Sequence, residues 1–184
     1  MPARRPQLRI IGGHIAHDEQ FPWLAQIKFF NKLICGGTLI APYWVLTAAH
    51  CGIQVTKPMK NMTAQSDNWS ITLGERSQFT KFEKFHISLA VLNTYTNYEH
   101  DMPRKDIAML RLHKRAEETR LIKYACLPSM IPGATGRKVQ KGQFNDPVPG
   151  ESCTVAGWGR TLPEDDTFPE YLNYVKLTVH SNAL

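Results

Sequence analysis

No stretch of 18 apolar residues occurs in the 184-residue sequence, so no helical membrane span is predicted. The first nine residues, MPARRPQLR, are basic and carry no apolar core, which excludes a secretory signal within them. Repeats and low-complexity tracts are missing as well. With 42% hydrophobic and 21% charged residues the chain is expected to fold around a sizeable core rather than remain disordered. Cysteine pairs of the C-x-x-C type are absent, and the four cysteines have no histidines at zinc-ligand spacing, so no metal site is expected. Charge of one sign is in only mild excess, with 22 Lys+Arg against 16 Asp+Glu giving +6. The basic residues 111–123 surround Glu117 and Glu118 without interleaved aromatics, and no nucleic-acid motif accompanies them. A solvated surface explains them, and neither a nucleic-acid nor a membrane partner is expected.

What the sequence does contain is short, β-type periodicity. Alternation between turn residues predicts strands over 23–30, 33–40, 43–47, 69–75, 85–93 and 107–113. A Pro-, Gly- and Lys-rich stretch over 128–150 interrupts the pattern, and two further strands are predicted over 152–158 and 171–180. The fold class expected is therefore all-β, with a closed barrel in the first two-thirds. Cys35 and Cys51 each lie in an apolar segment, and a bridge across their 16-residue separation would stabilise by about 3 kcal/mol. Two N-x-S/T sequons make Asn61 and Asn68 candidate N-glycosylation positions. Both features suit an oxidising compartment.

Chemistry concentrates in Cys35-Gly36-Gly37-Thr38 and Trp44-Val45-Leu46-Thr47-Ala48-Ala49-His50-Cys51. These resemble the trypsin-like serine proteases of peptidase family S1, whose T-A-A-H-C motif carries the general-base histidine. Three more matches follow the family's order. Arg9-Ile10-Ile11-Gly12-Gly13, with Phe21-Pro22-Trp23 behind it, resembles the zymogen activation site. Asp106-Ile107-Ala108-Met109-Leu110 is similar to the D-I-A-L-L segment of the triad aspartate. Cys153-Thr154-Val155-Ala156-Gly157-Trp158-Gly159 resembles the C-x-x-x-G-W-G strand that opens the second barrel.

The resemblance implies a double six-stranded Greek-key β-barrel, with the first barrel complete and the second truncated. It divides the chain into a propeptide remnant (1–9), a first barrel (10–120) and a linker with a partial second barrel (121–184), residues 10–184 forming a partial peptidase S1 domain. It implies trypsin-like serine endopeptidase activity with His50 as base and Asp106 as its orienter. Asp101, the neighbouring alternative, precedes a proline and lacks a following strand. Activation cleavage would fall between Arg9 and Ile10, Cys35 would pair with Cys51, and Cys126 and Cys153 would lack their family partners. The partners implied are protein or peptide substrates and protease inhibitors. The family uses no cofactor, and its members are extracellular.

One motif of the family does not occur here. The string G-D-S-G-G, which holds the nucleophile, is absent from the 184 residues; Ser152, in the near-lookalike Gly150-Glu151-Ser152-Cys153, falls where the family has an ordinary strand residue, and Ser181 has no glycines to shape a turn. The expectation is an incomplete or inactive form. The alternatives are a non-catalytic homologue acting through binding, and a chain completed by a second polypeptide. Cleavage specificity is not legible, because the pocket residues belong to the same unencoded segment.

Overall fold

The computed structural model describes residues 13–51, 69–79, 86–88, 106–127, 148–159 and 168–181. Their strands are β1 (His14–Ile15), β2 (Leu24–Phe29), β3 (Lys32–Ala41), β4 (Trp44–Thr47), β5 (Trp69–Leu73), β6 (His86–Ser88), β7 (Ala108–Arg111), β8 (Ser152–Gly157) and β9 (Asn173–Thr178). No helix among them is long and apolar enough to cross a membrane. The chain divides into two compact units, one of residues 18–75 and 80–126, the other of residues 1–17, 76–79 and 127–184.

The first unit is a six-stranded antiparallel sheet in the order β6-β5-β2-β3-β4-β7. Period-2 alternation decides its inner face. Ala25 lies opposite Leu73 and Ile27 opposite Ile71, while Leu39 faces Val45 and Val45 faces Leu110. Those residues, with Leu112, Ala116 and Ile122, form one buried apolar cluster. Glycine is required at position 37, where β3 runs beside β4. A Cβ on Gly37 would stand 2.7 Å from Val45 Cγ1 and 3.2 Å from the Leu46 carbonyl oxygen. Gly37→Ala is therefore expected to cost about 1–3 kcal/mol, the range for overpacking a dense core. Urea unfolding checks this, and an unchanged midpoint would contradict it.

The segment that follows β7, residues 112–125, is held by backbone bonds. Leu112 N–H donates to the Tyr43 carbonyl, Ala116 N–H to Pro42 and Ala125 N–H to Leu39. Tyr124 adds a side-chain bond, its hydroxyl donating to the Ala116 carbonyl at 2.7 Å. Desolvation raises the Tyr124 phenol above its ordinary value, with Glu118 and Glu117 adding to the shift and Arg115 opposing it. The phenol therefore stays a donor throughout the physiological range.

The second unit contains the antiparallel sheet β1-β9-β8. Residues 76–79 belong to it through an isolated bridge between Ser77 and Tyr171 and backbone bonds from Gln78 N–H to Glu170 and from Leu172 N–H to Arg76. The Arg76 carbonyl also accepts from Trp158 Nε1–H at 2.8 Å, and the Arg76 guanidinium lies 4.9 Å above the Tyr171 ring. The buried indole of the Gly-Trp-Gly segment thus has the polar partner that burial demands. Val155 and Val175 pair across β8 and β9, and Cys153 pairs with Leu177, giving one sheet face on which Cys153, Val155 and Leu177 are exposed.

Candidate active site

Strand order brings the chemistry to one end of the six-stranded sheet. β4 runs antiparallel to β3, with Leu46 opposite Thr38, so the chain leaving Thr47 continues toward the beginning of β3. Thr47 Oγ1 donates to the Gly36 carbonyl at 2.8 Å and fixes that exit. Residues 49–51 then make one helical turn that carries His50, and Cys51 is bonded to Cys35 in β3 with their Cα atoms 6.2 Å apart. β7 begins at the same end, Ala108 lying opposite Thr47, so Asp106 arrives beside the turn from residues distant in sequence.

The two side chains meet directly. His50 Nδ1 stands 2.8 Å from Asp106 Oδ2, and the His50 backbone N–H donates to Asp106 Oδ1 at 2.9 Å. An ionised carboxylate only accepts, so Nδ1 must carry the proton and Nε2 is left with a lone pair in the neutral ring. One carboxylate thereby grips the backbone and the ring of the same residue, which fixes both the tautomer and the ring plane. Desolvation pushes the Asp106 carboxyl up, but the bonds from the His50 backbone and ring, the charge interaction with His50 and a bond from the Ala49 N–H together hold it below its ordinary value. The sign follows from that depression. The stabilisation is fully present above the unfolded carboxylate value near 3.9 and disappears as pH falls through the lower folded value. The His50 side chain is 49% exposed and that of Asp106 30%. The imidazole is consequently open to solvent, while the carboxylate is the more sheltered partner.

A metal reading fails on the donor chemistry. Ligand atoms of Cys35, His50 and Cys51 lie within 4.8 Å of one another. Both sulfurs are consumed in the disulfide, and zinc requires thiolates. The cluster is a disulfide packed beside a histidine.

Cys126 and Cys153 are exposed free thiols. Ser152 and Ser181 are exposed, Ser152 at the start of β8. Arg9, Ile10, Asn61, Asn68 and the alternative carboxylate Asp101 lie outside the described residues. Sequence reading did not single out Thr47, although its hydroxyl ties the histidine-bearing turn to β3. The signal was a β-branched hydroxyl three residues before His50 at a strand end, where a side-chain oxygen can reach a neighbouring carbonyl.

Known proteins resemble this chain over most of its length. The family model Trypsin matches residues 10–184. The chain is 28% identical over 191 residues to glandular kallikrein of Sus scrofa, covering 96% of this chain and 66% of that protein. It is 30% identical over 189 residues to granzyme C of Mus musculus, covering 100% of this chain and 65% of that protein. Among solved structures it resembles neuropsin, a serine protease expressed in the limbic system of mouse brain. That match has a TM-score of 0.69 and 27% identity, and covers 94% of this chain and 66% of that one. The chain thus spans about two thirds of the length of the curated relatives it matches.

Proposed function

This chain belongs to the trypsin family of serine proteases, and from that premise we propose that it carries the general base and its orienter for a secreted trypsin-like serine endopeptidase. The observation that supports the reading is the Nδ1–carboxylate contact of 2.8 Å between His50 and Asp106, with the imidazole exposed beside it. A serine hydroxyl is too weak an acid to attack a peptide carbonyl unless an adjacent base removes its proton. His50 Nε2 takes that proton, and the Asp106 carboxylate stabilises the imidazolium that results. His50 then returns the proton to the departing amine. The substrates are proteins or peptides, and protein inhibitors of such enzymes are expected to bind the same end of the sheet.

Arg9–Ile10 is the proposed activation bond, to be cut by an enzyme that accepts arginine. Asn61 and Asn68 are proposed glycan acceptors. The 184 residues contain no Gly-Asp-Ser-Gly-Gly. In the proposed division of the chain, residues 1–9 are propeptide, 10–120 form the first barrel, and 121–184 hold the linker with strands of the second.

A serine-directed fluorophosphonate tests this. The 184-residue chain, before or after trypsin cuts it at Arg9, is expected to remain unlabelled. Residues 10–184 joined in frame to a trypsin-family second-barrel segment that carries Gly-Asp-Ser-Gly-Gly should label, and His50→Ala should abolish it. Stoichiometric labelling of the 184-residue chain at Ser152 or Ser181, or labelling of the joined form that ignores His50→Ala, would overturn the proposal.

A further inference from the structure

Half of the chain's excess positive charge is concentrated in one short segment. Residues 111–123 hold five Lys and Arg against Glu117 and Glu118, a surplus of three out of the chain's +6. Leu112, Ala116 and Ile122 are buried and anchor the segment to the apolar cluster of the first unit. Arg111, His113, Lys114, Arg115, Arg120 and Lys123 are exposed between these anchors. The backbone that carries them is tied down rather than loose. Leu112 and Ala116 are bonded to the Tyr43 and Pro42 carbonyls of the turn between β3 and β4, and Lys123 N–H donates to the Pro22 carbonyl. Thr119 Oγ1 accepts from the Leu121 and Ile122 N–H groups and closes the turn between the two halves. A charged face held in this way loses little further freedom when a ligand arrives.

The carboxylates nearby are already engaged. Glu117 Oε1 lies 2.9 Å from Arg115 Nε, and Glu19 Oε1 lies 2.9 Å from Arg120 Nε. Glu118 Oε1 accepts from the Tyr124 backbone N–H at 3.3 Å. Among the described residues Arg111 and Lys114 therefore have no carboxylate partner, and the His113 ring adds an N–H donor between them. Arg115 adjoins the row and is free to exchange its surface ion pair, because such pairs are weak. Arg111 and Lys114 are at most about 10 Å apart, the reach of three residues. The row also stands away from the catalytic pair. Arg111 ends β7 opposite Trp44, whereas Ala108 begins it opposite Thr47, next to the turn that carries His50. From Asp106 to Arg111 an extended chain covers about 16 Å.

We propose that Arg111, His113, Lys114 and Arg115 form a docking surface for a sulfated polysaccharide, at the end of the sheet remote from His50. Charge and compartment select this occupant. A membrane would need exposed apolar side chains to insert, and the apolar members of this row, Leu112 and Ala116, are buried. The Cys35–Cys51 bridge belongs to an oxidising compartment, where the strong polyanions are sulfated sugars rather than nucleic acids.

Fluorescence anisotropy of a fluorescein-labelled, sulfated uronate–glucosamine oligosaccharide titrated with the 184-residue chain tests this. The chain should bind that probe and not its desulfated counterpart. Raising salt from about 50 to about 200 mM should weaken binding by about 30-fold, as three ionic contacts require. Arg111→Ser combined with Lys114→Ser should weaken it by about tenfold or more, and Arg111→Lys combined with Lys114→Arg should retain it. Lys32→Ser combined with Lys176→Ser removes the same charge from exposed positions at the far end of β3 and in β9, and should leave affinity within about twofold. No binding of the sulfated probe, equal binding of the desulfated one, or unchanged affinity in Arg111→Ser with Lys114→Ser would overturn the proposal. So would an equal loss in Lys32→Ser with Lys176→Ser, which would reduce the effect to net charge. Tighter binding of duplex DNA or of phosphatidylserine vesicles than of the sulfated probe would give the surface to another class of partner and also overturn it.

Discussion

His50→Ala is expected to lower kcat/KM by about 10⁶ in the joined form that carries the nucleophile, and Asp106→Asn by about 10⁴. The first loss corresponds to roughly 8 kcal/mol of transition-state stabilisation, because the base acts when charge is moving. The second is smaller for a reason visible in the geometry. Asparagine keeps the shape but presents an amide where Nδ1–H needs an acceptor, and the ring can answer by adopting the other tautomer. Nε2 would then hold the proton it should accept. The double variant should be little worse than His50→Ala alone, since Asp106 acts only through His50. Steady-state kinetics on the peptide amides that the joined form cleaves provides the measurement. A drop of less than tenfold in either variant would contradict the assignment.

Removing the Cys35–Cys51 bridge, by replacing both residues with alanine, is expected to destabilise the first unit by about 3 kcal/mol, within a usual range of 2–5. The bridge closes the hairpin of β3 and β4 and pins the turn that carries His50. Beyond it, that turn has the Thr47 hydroxyl bond to Gly36, the backbone bond from Cys51 N–H to Ala48 and its grip on Asp106. Each is worth on the order of 1 kcal/mol, so none replaces a covalent link. A domain with 5–15 kcal/mol in total would lose a large fraction of its stability. Urea unfolding of the oxidised parent and the double-alanine chain reads the difference directly. A shift below about 1 kcal/mol would show that the turn is held by its hydrogen bonds alone.

Much of this was legible because local and tertiary signals agree. The strands predicted over 23–30, 33–40, 43–47 and 69–75 correspond to β2–β5, whose inward residues alternate as the sequence does. His50 and Asp106 were legible through resemblance, since composition and spacing contain nothing that would bring residues 50 and 106 together; register does that, by pairing β4 with β7. Other features left no readable trace. β1 is two residues long, too short for any period, and exists because His14 and Ile15 find Tyr174 and Asn173 in β9. Residues 76–79 lie just beyond β5, yet their backbone bonds go to residues 170–172, and no local pattern announces a partner so far along the chain. The turn at Phe30-Asn31 escaped notice because its residues are not those that such turns favour. Of the strand expected over 85–93, only 86–88 is among the described residues.

If Asp106 holds the proton of His50 on Nδ1, Nε2 is free to act as base. Proton NMR of the ¹⁵N-labelled 184-residue chain should then show a low-field Nδ1–H resonance for His50 that persists through neutral pH, weakens only as acid protonates the depressed carboxyl, and vanishes in Asp106→Asn. A His50 ring whose proton resides on Nε2, or an Nδ1 resonance unchanged in Asp106→Asn, would contradict it.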